Sequence, residues 1–328
     1  MREGAFALTI LSKRSTIVSI MLNTGQAGEI AMESGKTLQI KDYLIDPAIP
    51  IVVQVNGMGA DFPAHQHDFT EVVFIRRGRG THWLGGEAVP AREGDVFVIP
   101  PHGTHAYTDS RDMAITNIIF SPALDFPGEA ALRTMPGYHA LFALEPHYRA
   151  RHHLQSCLHL APDARRQLER LTAEVKREVS GGAPGAGLMA RAMLCELIVF
   201  LCREYDGRRN DPSRKVLRLA ETVSWMEANA VRAISIDELC GMAHMARSTF
   251  HRVFEDVYGM PPMEYLIRLR VERAAALLQN EAASVTAIAL ETGFSDGNYL
   301  ARQFRRHLGM SPSAYRARLR AETARYGN

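Results

Sequence analysis

The chain has 328 residues, of which 46% are apolar and 23% charged, with a formal net charge of +2. That size predicts two domains with ordinary globular cores, and the near-balanced charge excludes an overall basic coat as the means of gripping a nucleic acid. No apolar run reaches the length needed to cross a bilayer, so no membrane contact is expected.

Cys157, Cys195, Cys202 and Cys240 form neither a C-x-x-C pair nor a zinc-finger spacing. They read as buried thiols of a reducing compartment, which places the chain in the cytoplasm. Residues 1–36 carry little pattern. Ile17–Leu22 follows Lys13 and Arg14 but is too short for a secretory signal. Periodic sequence begins near Thr37, and Met32 is a candidate translation start. The predicted organisation is a poorly structured N-terminus over 1–36, a first domain over 37–205, a linker over 206–213 and a second domain over 214–328.

Residues 37–121 read as short strands: Ile51–Val55, Glu71–Ile75, Thr81–Leu84, Val96–Ile99 and Ala114–Phe120. They are rich in Val, Ile, Phe and Thr. Glycines and prolines at Gly57/Gly59, Gly78/Gly80, Gly85-Gly86 and Pro100-Pro101 separate them. Strands at this spacing predict a sandwich or barrel. Within it His65, His67 and Glu71 all have odd numbers, and equal parity on an extended strand means one face. Three polar groups on a core face need partners. A divalent metal is one answer, with His105 from another strand completing a set suited to zinc, iron, manganese, nickel or copper. A hydroxyl-rich ligand is another, with Trp83 and Tyr107 available to stack on a sugar ring. An internal hydrogen-bond network is the third.

The spacing Gly59-x5-His65-x-His67-x3-Glu71-x6-Gly78 is similar to the first cupin motif. Gly94-x5-Pro100-x4-His105 is similar to the second, except that His102 stands where that motif usually has Gly. The resemblance covers about residues 50–115 and implies a small double-sheet jelly-roll barrel.

Residues 163–205 are predicted helical. Leu168, Leu171, Val175 and Val179 form one stripe, and Leu194, Leu197, Ile198 and Leu201 a second. Gly and Pro break the chain over 180–187. Asp206–Ser213 is polar and reads as a flexible linker.

The last third contains one pattern twice. Phe250-His251-Arg252-Val253-Phe254, Gly259-Met260-Pro261-Pro262, Tyr265 and Arg268-Leu269-Arg270 recur fifty residues later as Leu300-Ala301-Arg302-Gln303-Phe304, Gly309-Met310-Ser311-Pro312, Tyr315 and Arg318-Leu319-Arg320. A repeat of this length is a supersecondary unit used twice. Each copy reads as a helix-turn-helix. In the first, Ser235 caps a short helix, Met245-Ala246 makes the turn, and a second helix runs from Arg247 to Tyr258 with Gly259 as its stop. Its buried stripe is Phe250, Val253, Phe254 and Val257. Arg247, Ser248, His251 and Arg252 stay on the open face, at the positions that meet base edges when such a helix enters a major groove. In the second copy Ser284 caps the first helix, Gly293-Phe294 makes the turn, and Ser295 caps the recognition helix beside Asp296. Tyr299, Leu300 and Phe304 point inward, leaving Gly297, Asn298, Arg302, Arg305 and Arg306 outside. Asn pairs with adenine, and Arg with guanine or phosphate. From residue 296 onward the positive side chains are all arginine: Arg302, Arg305, Arg306, Arg316, Arg318, Arg320 and Arg325. Beside a recognition helix they form an electrostatic footprint.

This double motif, with Gly293-Phe294-Ser295-Asp296 and Phe304-Arg305-Arg306 before Gly309-Met310-Ser311-Pro312, resembles the AraC family of transcription regulators over residues 215 to 320. The resemblance implies two helix-turn-helix units joined by one long helix, here Pro262–Asn280, reading successive major grooves of double-stranded DNA. One departure is Ala246, where many members carry Ser or Thr. A second resemblance is to the rhamnose-operon activators. It rests on His65-Gln66-His67-Asp68-Phe69-Thr70-Glu71, the Gly94-Asp95 turn, Thr116-Asn117-Ile118-Ile119-Phe120 and Gly137-Tyr138-His139-Ala140-Leu141-Phe142. It implies a sugar or sugar-derived inducer. The AraC resemblance implies a homodimer held by the helices after the barrel, with covering of the barrel's open edge as the alternative role for those helices, and RNA polymerase is a further candidate partner.

The expected fold is therefore multidomain α+β: a cupin-like barrel with a helical region, then an all-α double helix-turn-helix. The expected function is ligand-responsive transcription activation without catalysis. DNA is read by Arg247, Ser248, His251, Arg252, Gly297, Asn298, Arg302, Arg305 and Arg306. Ligand meets His65, His67, Glu71, Trp83 and His105, and a zinc, iron, manganese or nickel ion would sit on His65, His67, Glu71 and His105. The rival reading is a metal-dependent cupin enzyme, a dioxygenase or isomerase, fused to a DNA-binding module.

Overall fold

The computed structural model describes residues 37–58, 61–126, 128–151, 157–207, 214–279 and 283–326. The N-terminal segment with Met32, Gly59 of the first motif and most of the predicted linker lie outside these residues.

Among the described residues, eight strands form the N-terminal domain: β1 (Thr37–Leu38), β2 (Ile51–Met58), β3 (Phe62–His67), β4 (Thr70–Leu84), β5 (Glu87–Arg92), β6 (Asp95–Ile99), β7 (His105–Phe120) and β8 (Leu158–His159). The pairing order is β1-β3-β7-β4-β6-β8, with β2 on β7 and β5 on β4. The domain is cupin-like, and among the described residues this pairing path is open. The glycines expected to separate two strands instead lie within β4. Its register against β7 shifts between Ile75, Arg77, Arg79 and Thr81, so the glycines are absorbed as bulges. Gly78 has φ +82, and a Cβ there would lie 2.4 Å from the Asp112 carbonyl oxygen. Only glycine lets the two backbones approach so closely.

Alternation along the strands sorts their apolar side chains between the two faces of the sheet. Val72, Phe74, Val96, Val98, Ile118 and Phe120 share one cluster with the helices. Val73, Ile75, Phe97, Ile99, Tyr107, Met113 and Ile115 form another on the opposite face. After β7 come α1 (Glu129–Arg133), α2 (Pro136–His139), a π-helical turn over Ala140–Leu144 and α3 (Glu145–Arg151), a segment whose helices no periodicity announced. Then α4 (Pro162–Gly181) and α5 (Ala186–Asp206) follow, broken between them at Gly182 and Gly185, which have φ +62 and +83. Their predicted stripes are buried, each such side chain contributing about 1.5–3 kcal/mol.

The C-terminal region is all helix: α6 (Arg214–Ala228), α7 (Ile236–Ala243), α8 (Arg247–Tyr258), α9 (Pro262–Leu277), α10 (Val285–Glu291), α11 (Gly297–Leu308) and α12 (Pro312–Tyr326). The hydrophobic core does not stop at the predicted domain boundary. Leu201, Cys202 and Tyr205 of α5, Val216, Leu219, Val223 and Met226 of α6, and Phe250 and Phe254 of α8 belong to one cluster. Val271, Ala274, Leu278, Ile288, Phe294, Leu300 and Phe304 form a separate one under the second repeat. No disulfide joins the four cysteines. Among the described residues no helix is long and apolar enough to cross a membrane.

Candidate functional site

In the first repeat, the Ser235 hydroxyl accepts from the Glu238 N–H at 3.1 Å and caps α7. His244 ends α7 with φ 51, a left-handed conformation that a histidine adopts at some cost. Ala246 begins α8 without a side-chain cap. Arg247, Ser248 and Arg252 are exposed and His251 is half-buried. Arg247 lies 3.9 Å from Asp237 of α7. Arg252 lies near enough to Tyr148 of α3 for its charge to act on that phenol, which burial pushes upward in pKa.

In the second repeat, the Ser284 hydroxyl accepts from the Ala287 N–H at 3.1 Å. The cap of α11 is Asp296, not Ser295. Its carboxylate accepts from the Tyr299 N–H at 2.7 Å, and Ser295 donates to its other oxygen at 3.0 Å. These two bonds hold the Asp296 carboxyl below its usual range, the Tyr299 N–H contributing most. Asn298, Arg302 and Arg305 are exposed as expected, and the Arg302 guanidinium sits 5.0 Å from the Tyr299 ring centre.

Gly297 and Arg306 also have neighbours within the region. A Cβ on Gly297 would lie 3.2 Å from the Thr286 hydroxyl, so this glycine seats α11 against α10. Arg306 is drawn to Glu264 of α9, 2.9 Å away.

The second site lies in the N-terminal domain. His65 and His67 are on β3, Glu71 opens β4 and His105 opens β7. They meet because β3 and β4 both pair with β7: His65 is opposite His105, and Glu71 opposite Ile119. Parity on one strand is not the cause, since the chain turns between His67 and Thr70. The four are buried. One donor atom each from His65, Glu71 and His105 lies within 4.8 Å of the others. Glu71 Oε2 stands 3.3 Å from His67 Nε2 and 3.5 Å from His105 Nε2, contacts that lack hydrogen-bond geometry.

The tautomers follow from the carbonyls behind the rings. His65 Nδ1 is 3.0 Å from the Pro63 oxygen and His67 Nδ1 is 2.8 Å from the Phe69 oxygen. A carbonyl can only accept, so both protons sit on Nδ1 and both Nε2 atoms offer lone pairs. Burial lowers the pKa of His65, and that of His105 further, with the neighbouring imidazoles adding to the effect on His105.

His102 confirms its motif position in an unexpected way. It has φ 63, the conformation a glycine would take there freely, and its N–H donates to the His67 oxygen at 2.7 Å. Trp83 is not brought to the cluster. It is half-buried, and its indole N–H donates to the Thr108 hydroxyl at 2.9 Å. His82, one residue earlier, faces inward instead. It is fully buried, stacked on Tyr107 at 4.6 Å and 5.7 Å from His105 between ring centres. The sequence concealed His82 because the bulges in β4 reset its parity.

Residues 50–178 match the AraC-like ligand binding domain, and residues 239–318 match a helix-turn-helix domain. The chain is 26% identical over 276 residues to the HTH-type transcriptional activator RhaR of Mannheimia succiniciproducens, covering 84% of this chain and 95% of the relative. It is 29% identical over 261 residues to Escherichia coli RhaR, covering 78% and 87%. Among solved structures, the DNA-binding domain of the global transcriptional factor AdpA in complex with a target DNA shares 38% identity, covers 34% of this chain and 97% of that one, and has a TM-score of 0.31. With a ligand-binding domain of the AraC type leading into the paired helix-turn-helix units, the chain belongs to the AraC family of DNA-binding transcription regulators.

Proposed function

We propose that the chain is a transcription activator of the cytoplasm that binds tandem half-sites as a homodimer and responds to a sugar. The observation that carries this reading is the ligand-binding domain sharing one hydrophobic core with a DNA reader. Both curated relatives are named as activators, and the sugar follows the resemblance of residues 65–71 and 137–142 to the rhamnose-operon activators. The N-terminal domain regulates and does not turn over substrate.

The buried cluster suits a divalent cation. A Glu71 carboxylate oxygen converges with the Nε2 atoms of His67 and His105 without hydrogen-bond geometry, and burial disfavours the imidazolium forms of His65 and His105. His65, Glu71 and His105 would hold zinc, iron, manganese or nickel, with His67 beside them. Such an ion would neutralise Glu71 and tie β3, β4 and β7 together.

The test is metal analysis of wild type and His105→Ala purified from metal-replete cells, with a promoter reporter over a panel of sugars. Near-stoichiometric metal in wild type, lost in the variant, and induction by a sugar are expected. A metal-free wild type would end the cation reading. Turnover of a sugar with added Fe(II) or Mn(II) would replace regulation with the enzyme reading.

A further inference from the structure

The outward face of the sheet carries arginines in register across three strands. Arg79 of β4 lies directly opposite Arg92 of β5 on one side and Arg111 of β7 on the other, and Arg77 lies opposite Ala114. All four arginines are exposed. The register slips twice here: two steps along β4 face three along β7, first between Thr81 and Arg79 and then between Arg79 and Arg77. Asp109 and Asp112, with φ 54 and 48, lie in those slips. Bulges re-aim side chains, and a non-glycine residue is held in the left-handed region at some cost.

Like charges directly opposite one another weaken a sheet, and the carboxylates of these strands do not relieve the row. Asp95 is held by His159 at 2.7 Å and lies 3.9 Å from Arg92. Glu93 is held by Arg165. The Asp109 carboxylate accepts from the Thr108 hydroxyl at 3.4 Å, and Glu87 lies at the far end of β5 from Arg92. Among the described residues no carboxylate, the exposed Asp112 included, forms an ion pair with Arg77, Arg79 or Arg111.

We propose that this arginine row seats the phosphate backbone of DNA flanking the bases that the helix-turn-helix units read, so that the ligand-binding domain grips DNA beside the two readers. The inference uses the family's DNA binding alone and is independent of the inducer. An arginine fork matches phosphate oxygens in pairs. Strands about 4.8 Å apart spread Arg92, Arg79 and Arg111 over about 10 Å. That open line suits a polyanion lying across it better than one small anion. A helical path joins the row to the first reader. α3 packs against β5 and β6, and it continues the π-helical turn against which α8, the first recognition helix, packs. Tyr148 of α3 lies within electrostatic reach of Arg252 on α8. DNA running on from that reader is the polyanion the protein is already built to hold.

The experiment uses full-length protein, duplexes of random sequence of about 20 and 40 base pairs, two and four helical turns, and fluorescence anisotropy over a salt series. Each seated phosphate adds about 0.9 to the slope of log affinity against log salt. On the long duplex, Arg79→Gln combined with Arg111→Gln should flatten that slope by about 2 and weaken low-salt binding at least about tenfold. On the short duplex, which the two readers fill, the double variant should change little. Arg79→Glu should weaken long-duplex binding further. By pairing with Arg92 and Arg111 it should also raise the low-salt melting temperature, which shows the fold intact. A wild type that binds neither duplex, wild-type slopes that match on the two lengths, or equal losses on both duplexes in the double variant overturn the proposal. So does a lower melting temperature in Arg79→Glu, which would give the row a structural role. If wild type binds a polyglutamate peptide through these arginines while the double variant keeps its long-duplex slope, the face belongs to an acidic protein segment and not to DNA.

Discussion

The two helix-turn-helix units come from one sequence pattern, and their surroundings differ. Their shared parts recur in space. The Arg268 guanidinium lies 4.7 Å from the Tyr265 ring, and Arg318 lies 5.1 Å from the Tyr315 ring, fifty residues on. The differences fall where the ligand-binding domain attaches. Phe250 and Phe254 complete a core that runs back into the sensor; Phe304 belongs to a core of its own. Tyr258 is bonded to His139, whereas its counterpart Leu308 is exposed. Tyr265 and Tyr315 both pack edge-on against the phenylalanine of their repeat, Phe254 and Phe304, and Tyr265 in addition donates to Glu227 of α6. One unit of the duplicated reader is packed into the core of the ligand-binding domain, and the other has a core of its own.

The strongest way to break that comparison is to empty each core in turn. Phe254→Ala and Phe304→Ala should each cost about 3–5 kcal/mol. In calorimetry Phe254→Ala should lower the melting of the sensor and first reader together, and Phe304→Ala should lower only a smaller transition of the second reader. A common shift in both variants would mean one cooperative body.

Acid probes the junction next. The folded pKa of His139 is depressed to about 4 by burial from an ordinary 6.5. Below pH 6.5 the unfolded chain therefore binds a proton that the folded chain refuses. The contribution is fully present above 6.5 and is lost as pH falls toward 4, about 3 kcal/mol in all. His139→Gln keeps a donor and an acceptor but does not titrate. Its stability, measured by denaturant titration between pH 7 and 4, should fall less steeply by about one proton than that of wild type.

Base readout should divide between the units. Arg252→Ala should cost about 1–3 kcal/mol on the cognate site and relax specificity in one half-site. Asn298→Ala should do the same in the other, about one helical turn away. Equal losses on random DNA would reassign either residue to phosphate. The smallest effect concerns caps. Ala246→Ser supplies the side-chain acceptor that α8 lacks and should stabilise the first reader by about 1 kcal/mol, read as a rise in its melting temperature alone.

Much of this was legible from local rules. Ser235, Ser284, Gly259 and Gly293 announced helix ends, and the i, i+3, i+4 stripes announced the buried faces. The His65-x-His67-x3-Glu71 spacing announced the cluster, and the structure adds that strand pairing with β7 assembles it. What stayed hidden depended on tertiary contact. Ser295 and Asp296 are equally good caps on paper, and the loop path chose Asp296. The bulges of β4 concealed His82, and Trp83 suggests a ligand contact only through an aromatic ring able to stack on a sugar. The shared core could not be read, because a linker-like run over 206–213 suggests separation and only packing shows α6 buried against α2 and the π-helical turn.

The most direct test of the central claim is hydrogen exchange on full-length Leu141→Ala. Leu141 is a fully buried sensor residue outside both readers. The account predicts lost protection in α8, around Phe250 and Phe254, together with the sensor helices, and unchanged protection in α11, around Leu300 and Phe304. Unchanged protection in α8, or an equal loss in both recognition helices, would contradict it.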